Sequence, residues 1–294
     1  MTTARRLQAA TIPAVAAEID RYLSTGDTDA SRSAWRSESF LERARQAHDD
    51  LRDALIAEVR GRSAGVALSD LPIPGDTVAL TRRKTEPMVR GLFPRAEQAT
   101  VLALVERSVV FVTPDNIDAV LRKEPWDGSA WDLANLYLGS IGAEPLGRDA
   151  AGIVGLSQEA ICYVSLAYFD QEDAFADFVV HEVAHIFHNC QREAAGLPFR
   201  RGREWMLDVE YSRWETFAYS CEAFARIVEQ AASAADRVAL AREFGECFEV
   251  GDERVAAAEV AEIVLEAAGR QNGWQVILGR CGPARRRQRP RLEA

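Results

Sequence analysis

Two of the chain's four histidines stand four residues apart, with a glutamate directly after the first: His181-Glu182-Val183-Ala184-His185. On a helix, residues i and i+4 lie one above the other on the same face, so two imidazoles so placed can converge on one metal ion. The glutamate beside the first imidazole then points at a water on that metal. There it can act as general base and deliver the proton to a leaving amine. His181 and His185 are therefore candidate zinc ligands, and Glu182 is the candidate base. With only 4 histidines in 294 residues, the pattern is an uncommon accident. The neighbours Phe178, Val179, Val180, Val183, Ala184, Ile186 and Phe187 are all uncharged. The segment therefore reads as a buried helix, in which polar groups are costly unless paired or metal-bound.

A catalytic zinc takes a third protein ligand and leaves one position open. An H-x-x-G-x-x-H extension is absent, because Gln191 stands where its histidine would fall. His188, three residues past His185, reads as a supporting or packing group, with contact to substrate as the alternative. Carboxylates remain, and the apolar segment Trp214–Glu222 supplies two. Glu215, Ala218, Tyr219 and Glu222 share one helical face. Glu215 and Glu222 are two turns apart, roughly 10 Å along the axis, so only one of them can reach the metal.

H-E-x-x-H followed by a glutamate on a later helix resembles the gluzincin class of zinc peptidases, over roughly residues 150–230. In several families of that class the ligand stands in an E-x-x-A pattern, which Glu215-Thr216-Phe217-Ala218 matches. The resemblance implies one Zn2+ per molecule held by His181, His185 and Glu215, with Glu222 as the alternative to Glu215. The sequence departs from the pattern at Tyr219, where an acid or amide usually supports a ligand histidine. Tyr219 is a candidate to support Glu215 or to donate to the substrate oxyanion, with plain core packing as the competing reading. Tyr211, His188 and Arg201 are further candidate donors. The implied fold is helix-dominated α+β: a zincin-like metallopeptidase domain with a small sheet beside the H-E-x-x-H helix, preceded by a helical N-terminal region. Ile161–Tyr168 takes the place of the edge strand along which an extended peptide aligns. The implied activity is hydrolysis of a peptide bond in a protein or peptide substrate, with limited or regulatory proteolysis inside the cell preferred over digestion. The alternative is a helical interaction module with a structural or vestigial zinc site. Its fourth ligand would have to be Cys190, and Glu182 would then serve no purpose.

The elements that must position these residues follow from periodicity and turn formers. Helices are expected over Ile12–Leu23, Phe40–Val59, Ala96–Glu106 and Ala130–Ile141, with a turn-rich boundary at Gly65–Pro74. Ser108–Thr113 reads as a buried strand, and Thr113-Pro114-Asp115 as a helix start. Ile153–Leu156 and Ile161–Tyr168 read as strands around a polar turn at Ser157–Glu159. Asp170–Asp173 supply acids for the start of the helix that runs to Asn189. Further helices are expected over Tyr211–Ala231, Ala234–Cys247 and Arg254–Arg270. The expected organisation is a helical region over 1–105, a metallopeptidase domain over 106–280 and a basic tail over 281–294. Arg192–Arg213, between the two motif helices, reads as a solvated loop, with a preference for acidic substrates as the alternative.

Composition narrows the classes. A content of 48% hydrophobic and 27% charged residues is ordinary for a globular protein, and a net charge of -10 argues against a general nucleic-acid surface. No run approaches the ~20 apolar residues of a membrane span. Five scattered cysteines without a C-x-x-C pair suit a reducing compartment, so a cytoplasmic location is expected.

Overall fold

The computed structural model describes residues 3–66, 73–147, 155–158 and 160–283. The arginine-rich tail Arg285–Arg291, most of the expected boundary at Gly65–Pro74 and the first residues of the expected strand at Ile153 lie outside them. Helices dominate. In sequence order they are α1 (Thr3–Thr25), α2 (Phe40–Ser63), α3 (Thr77–Leu92) and α4 (Arg95–Ser108), then strand β1 (Val109–Phe111). Next come α5 (Ile117–Lys123), α6 (Asp127–Ser140), β2 (Gly155–Gln158) and β3 (Ile161–Val164). A 3-10 turn at Leu166–Phe169 leads to α7 (Phe178–Asn189), α8 (Trp214–Gln230), α9 (Ala234–Cys247), α10 (Ala257–Ala268) and α11 (Gly273–Cys281). None of the described helices is long and apolar enough to cross a membrane.

Local hydrogen bonds from side chains decide where the elements stop. The strand expected over Ile161–Tyr168 ends at Val164, because the Ser165 hydroxyl accepts the Ala167 N–H at 3.1 Å and turns the backbone into the 3-10 turn. The helix expected from Thr113 starts at Ile117 instead. Asn116 accepts the Thr113 N–H and donates to the Phe111 carbonyl, both at 2.8 Å, which fixes a turn before the first helical residue. Asp170–Asp173 do not enter the first turn of α7 either. Asp173 accepts the Phe175 N–H at 2.8 Å in a turn of its own, and Asp177 caps the helix through the Val180 N–H. Ser157 and Gln158, expected in a turn, belong to β2. Two helices go beyond the sequence expectation: α3 carries Pro87 in its interior, and α11 begins on Gly273 and contains Gly279. Each of these residues weakens a helix reading taken from sequence alone.

The small sheet has the order β1-β3-β2. β3 is therefore its centre and β2 an edge. This corrects the expectation that Ile161–Tyr168 is the edge: both sides of β3 already have strand partners, so its backbone cannot take up a further strand.

The protein divides into two compact units that are interleaved in sequence. The first comprises Met1–Ile73, Phe111–Leu156 and Tyr163–Asp170, the second Pro74–Val110, Ser157–Cys162 and Gln171–Ala294. A division at residue 105 thus differs from the observed packing. In the first unit α2 packs on α1, α5 and α6. There the buried Asp127 carboxylate faces Arg32 at 2.5 Å, His48 at 3.3 Å and Arg52 at 3.4 Å, and the Tyr22 hydroxyl donates to the Asp127 carbonyl at 2.8 Å. In the second unit α8 is central and packs on α3, α7, α9, α10 and α11. Its core is built from residues such as Val183 and Phe187 on α7 and Phe217, Phe224 and Ile227 on α8. Edge-to-face pairs reinforce it, Phe93–Phe187 at 4.9 Å and Phe224–Trp274 at 4.8 Å.

Gly91 on α3 marks a close approach in this unit, since a Cβ there would fall inside the Trp274 side chain. Gly279 on α11 has nothing within 4 Å of its would-be Cβ. The same substitution should therefore act in opposite directions. Gly279→Ala gains about 0.5–1 kcal/mol from helix propensity, whereas overpacking of about 1–3 kcal/mol outweighs that gain in Gly91→Ala. Thermal unfolding of the two variants beside the parent checks this; a Gly91→Ala midpoint at or above the parent's would refute the close packing.

Candidate metal centre

α7 presents His181 and His185 one turn apart, and α8 brings Glu215, in its first turn, to the same point. The His181 and His185 Nε2 atoms lie 3.2 Å apart. Glu215 Oε2 lies 3.6 Å from the first and 3.4 Å from the second. A tetrahedral zinc with bonds of about 2.0–2.1 Å requires ligand-to-ligand edges of about 3.3–3.4 Å. The three atoms thus already form one face of such a tetrahedron. Among the described residues this is the one grouping of His, Cys, Asp and Glu that could hold a metal ion. Two imidazoles and a carboxylate are a donor set that suits zinc. Cys190 does not join the grouping; its thiol points to the Gln191 carbonyl at 3.6 Å.

Both imidazoles are held from behind. Glu222 Oε2 lies 2.9 Å from His181 Nδ1, and Glu222 Oε1 accepts the Asp177 N–H at 2.7 Å. Glu222 therefore does not reach the grouping but fixes the ring that does. When His181 is neutral, a proton on Nδ1 facing Glu222 leaves its Nε2 lone pair toward the centre. Asp177 in turn lies 3.2 Å from Lys84 Nζ, which also meets Glu229 at 2.7 Å. On the other ring, His185 Nδ1 lies 3.0 Å from His188 Nε2, and His188 Nδ1 lies 3.0 Å from Asn189 Oδ1. Asn189 Oδ1 accepts only, so His188 carries its proton on Nδ1 and accepts from His185 with Nε2. That leaves the His185 Nε2 lone pair free as well. His188 is buried and stacks on Trp214 at 4.4 Å. Its two nitrogens are engaged, so it supports His185 and has no donor left for a substrate.

No protein-family model matches this sequence, and no curated protein or solved structure matches it either.

Burial opposes a charge on His181, but the hydrogen bonds to Glu215 and Glu222 outweigh it and lift the imidazole pKa to about 10. Burial would also raise Glu215, yet the two imidazoles hold its carboxyl well below the usual carboxylate range. The metal-free site is thus built to hold positive charge, which a bound dication would supply in place of a proton. Glu215 is shared: Oε2 faces the histidines while Oε1 lies 3.3 Å from Arg254 Nη2.

Glu182 is buried on the same helix, and its carboxylate accepts a short hydrogen bond from Ser157 Oγ on β2. Ser157 also lies 3.1 Å from the Glu182 carbonyl oxygen, which ties β2 to α7. Tyr219 sits edge-on to His181 at 4.7 Å and packs against Phe248 at 5.8 Å. Burial, and next the neighbouring Glu222, push its phenol up to about 12, so it stays protonated as a donor. Tyr211 is 80% exposed and lies against Trp214 at 4.7 Å. Arg201 is exposed in the loop between the two helices. The supporting role of Glu222 and the contacts of Ser157 and Arg254 go beyond what the sequence reading reaches. Turn-like neighbours mask Ser157, and Arg254 lies 39 residues past Glu215 with no motif around it.

Burial, and next the neighbouring His185, depress the His188 pKa to about 3. In the unfolded state an ordinary histidine takes its proton near pH 6.5. Between those values the unfolded state binds the extra proton, so stability is present above pH 6.5 and is lost as the pH falls toward 3. For the metal-free protein, His188 should contribute a slope approaching about 1.4 kcal/mol per pH unit in that window. Urea titrations from pH 7 to pH 4 should show a shallower pH dependence in His188→Gln; an identical slope would show that His188 titrates normally.

Proposed function

We propose that the protein is a zinc-dependent peptidase whose second unit is a zincin-like domain. The observation that carries this reading is the convergence of His181 Nε2, His185 Nε2 and Glu215 Oε2 at 3.2–3.6 Å, with a buried glutamate beside them. When bound there, zinc would polarise a scissile carbonyl and acidify a water. The protein's own residues supply the rest. Glu182 takes the proton of the attacking water and passes it to the leaving nitrogen. Ser157 occupies one lone pair of that carboxylate and so aims the remaining ones. The protonated Tyr219 phenol is the donor offered to the developing oxyanion. Glu222, His188 and Asn189 hold the two imidazoles, with Asp177 and Lys84 behind Glu222.

The extended substrate aligns on β2 rather than β3. β2 is a sheet edge, and through Ser157 it is the strand in contact with the base. A site with one buried base beside a short sheet edge suits limited cleavage of a protein in the cytoplasm better than digestion.

The test is metal content and turnover together. Purified protein analysed by mass spectrometry should carry near one zinc per molecule, lost in His185→Ala and in Glu215→Ala. Glu222→Gln should keep zinc but bind it about 10–100-fold more weakly, as expected when an outer partner of a ligand histidine is removed. Glu182→Gln should keep zinc while cleavage of a quenched-fluorescence peptide library falls about 10²–10⁴-fold. Absence of zinc uptake by the parent protein would sink the reading, and unchanged turnover in Glu182→Gln would remove the base.

A further inference from the structure

The carboxylate corner of the metal centre is approached by a loop that carries none of the sequence motifs. Residues 248–256 join α9 to α10, and Phe248 at their start packs on Phe244 at 4.6 Å and on Tyr219 at 5.8 Å. Val255 near their end is buried, and its N–H donates to the Asp252 carbonyl at 3.0 Å. Between these anchors Asp252 closes on Arg254. Its Oδ1 accepts the Arg254 backbone N–H and the Nε–H, both at 2.9 Å, and its Oδ2 accepts from Nη2 at 2.5 Å. The guanidinium is thus fixed by a carboxylate two residues away, in a charge-assisted pair.

Nη2 carries two N–H groups, and its second partner is Glu215. It lies 3.3 Å from Glu215 Oε1, the other oxygen of the carboxylate whose Oε2 faces His181 and His185. Arg254 is 72% exposed, and an exposed ion pair between two free side chains adds little stability. Geometry is what this pair supplies. Asp252 has already set the direction of the guanidinium, so meeting Glu215 costs it little further freedom.

A carboxylate beside a cation can offer one oxygen or both. With zinc bound, an offer of both would raise the protein donors from three to four and crowd the position that a catalytic zinc keeps open. We propose that Asp252 and Arg254 form a latch that holds Glu215 as a one-oxygen ligand and so keeps the remaining position of the ion free. The inference rests on the zinc reading of the site. Arg254 acts through Glu215, and Asp252 acts through Arg254, so both are positioning residues.

The binding mode of Glu215 is read without turnover, on full-length protein loaded with the metal alone. Crystal structures of the zinc form give the two oxygen distances, and the visible absorption of the cobalt(II) form reports the coordination shell in solution. Arg254→Ala and Asp252→Ala carry the test, both at positions outside the core. Glu253→Gln changes an exposed charge on the same loop and serves as control. Circular dichroism checks the fold of each variant, and mass spectrometry its metal content. In the parent one Glu215 oxygen should lie at about 2.0–2.2 Å from zinc while the other stays on Arg254. In Arg254→Ala and Asp252→Ala both oxygens should close on the ion and the cobalt band should shift, with metal still near one per molecule. Glu253→Gln should match the parent. Two-oxygen binding in the parent, or one-oxygen binding kept in Arg254→Ala with an unchanged cobalt band, would overturn the latch and leave the zinc site standing. A change in Arg254→Ala alone would overturn the part given to Asp252. A parent that takes up neither metal would overturn the zinc reading and the latch together, so metal content tells the two failures apart.

Discussion

α7 and α8 bring His181, His185 and His188 and Glu182, Glu215 and Glu222 into a largely apolar packing, where polar atoms are costly without partners. Much of the second unit can be understood from that constraint. Glu222 answers it twice, taking the His181 ring with one oxygen and the Asp177 N–H with the other. In doing so it joins the cap of one helix to the third turn of the next. His188 and Asn189 answer it for His185, and Ser157 for Glu182. At the centre the His181 and His185 Nε2 atoms face Glu215 Oε2 at 3.6 and 3.4 Å, while Glu215 Oε1 lies 3.3 Å from Arg254 Nη2.

The geometry of α8 explains how one helix supplies both kinds of carboxylate. Residues 215 and 222 differ by seven, two turns, so they lie on one face but about 10 Å apart along the axis. One reaches the Nε2 side of the histidine pair, and the other reaches the Nδ1 side of His181 one level away. Tyr219 falls between them and fills the gap with a ring against His181. The gluzincin-like pattern usually has an acid or amide in that place. Here the tyrosine cedes the ring-holding role to Glu222, one turn further along α8.

In the first unit Asp127 likewise gathers Arg32, His48 and Arg52 from α2 and the turn before it, although Arg32 Nη1 and Arg52 Nε and Nη1 stay buried without a partner among the described residues. In both units a single carboxylate links segments that are distant in sequence. Such contacts cost desolvation, which one carboxylate facing several donors at once offsets in part.

Sequence alone determined the parts of this protein that depend on neighbours a few residues away. The 3.6-residue period placed α2, α4, α6, α8 and α9 to within a few residues, and H-E-x-x-H spacing selected His181, Glu182 and His185, because helical geometry is set locally. It also limited the carboxylate that could join the two histidines to Glu215 or Glu222. Which of the two meets the histidines depends on how α8 packs on α7, and only the tertiary structure decided that. Helix ends at Asp177 and Ile117, the strand end at Val164, and α3 with its internal Pro87 also escaped, since competing side-chain hydrogen bonds and tertiary packing override local preference there. The interleaving of α5 and α6 with α1 and α2, the edge position of β2, and the contacts of Ser157 and Arg254 lie beyond any local signal. They join residues tens of positions apart, and no periodicity in the sequence encodes which distant side group will satisfy a buried polar atom.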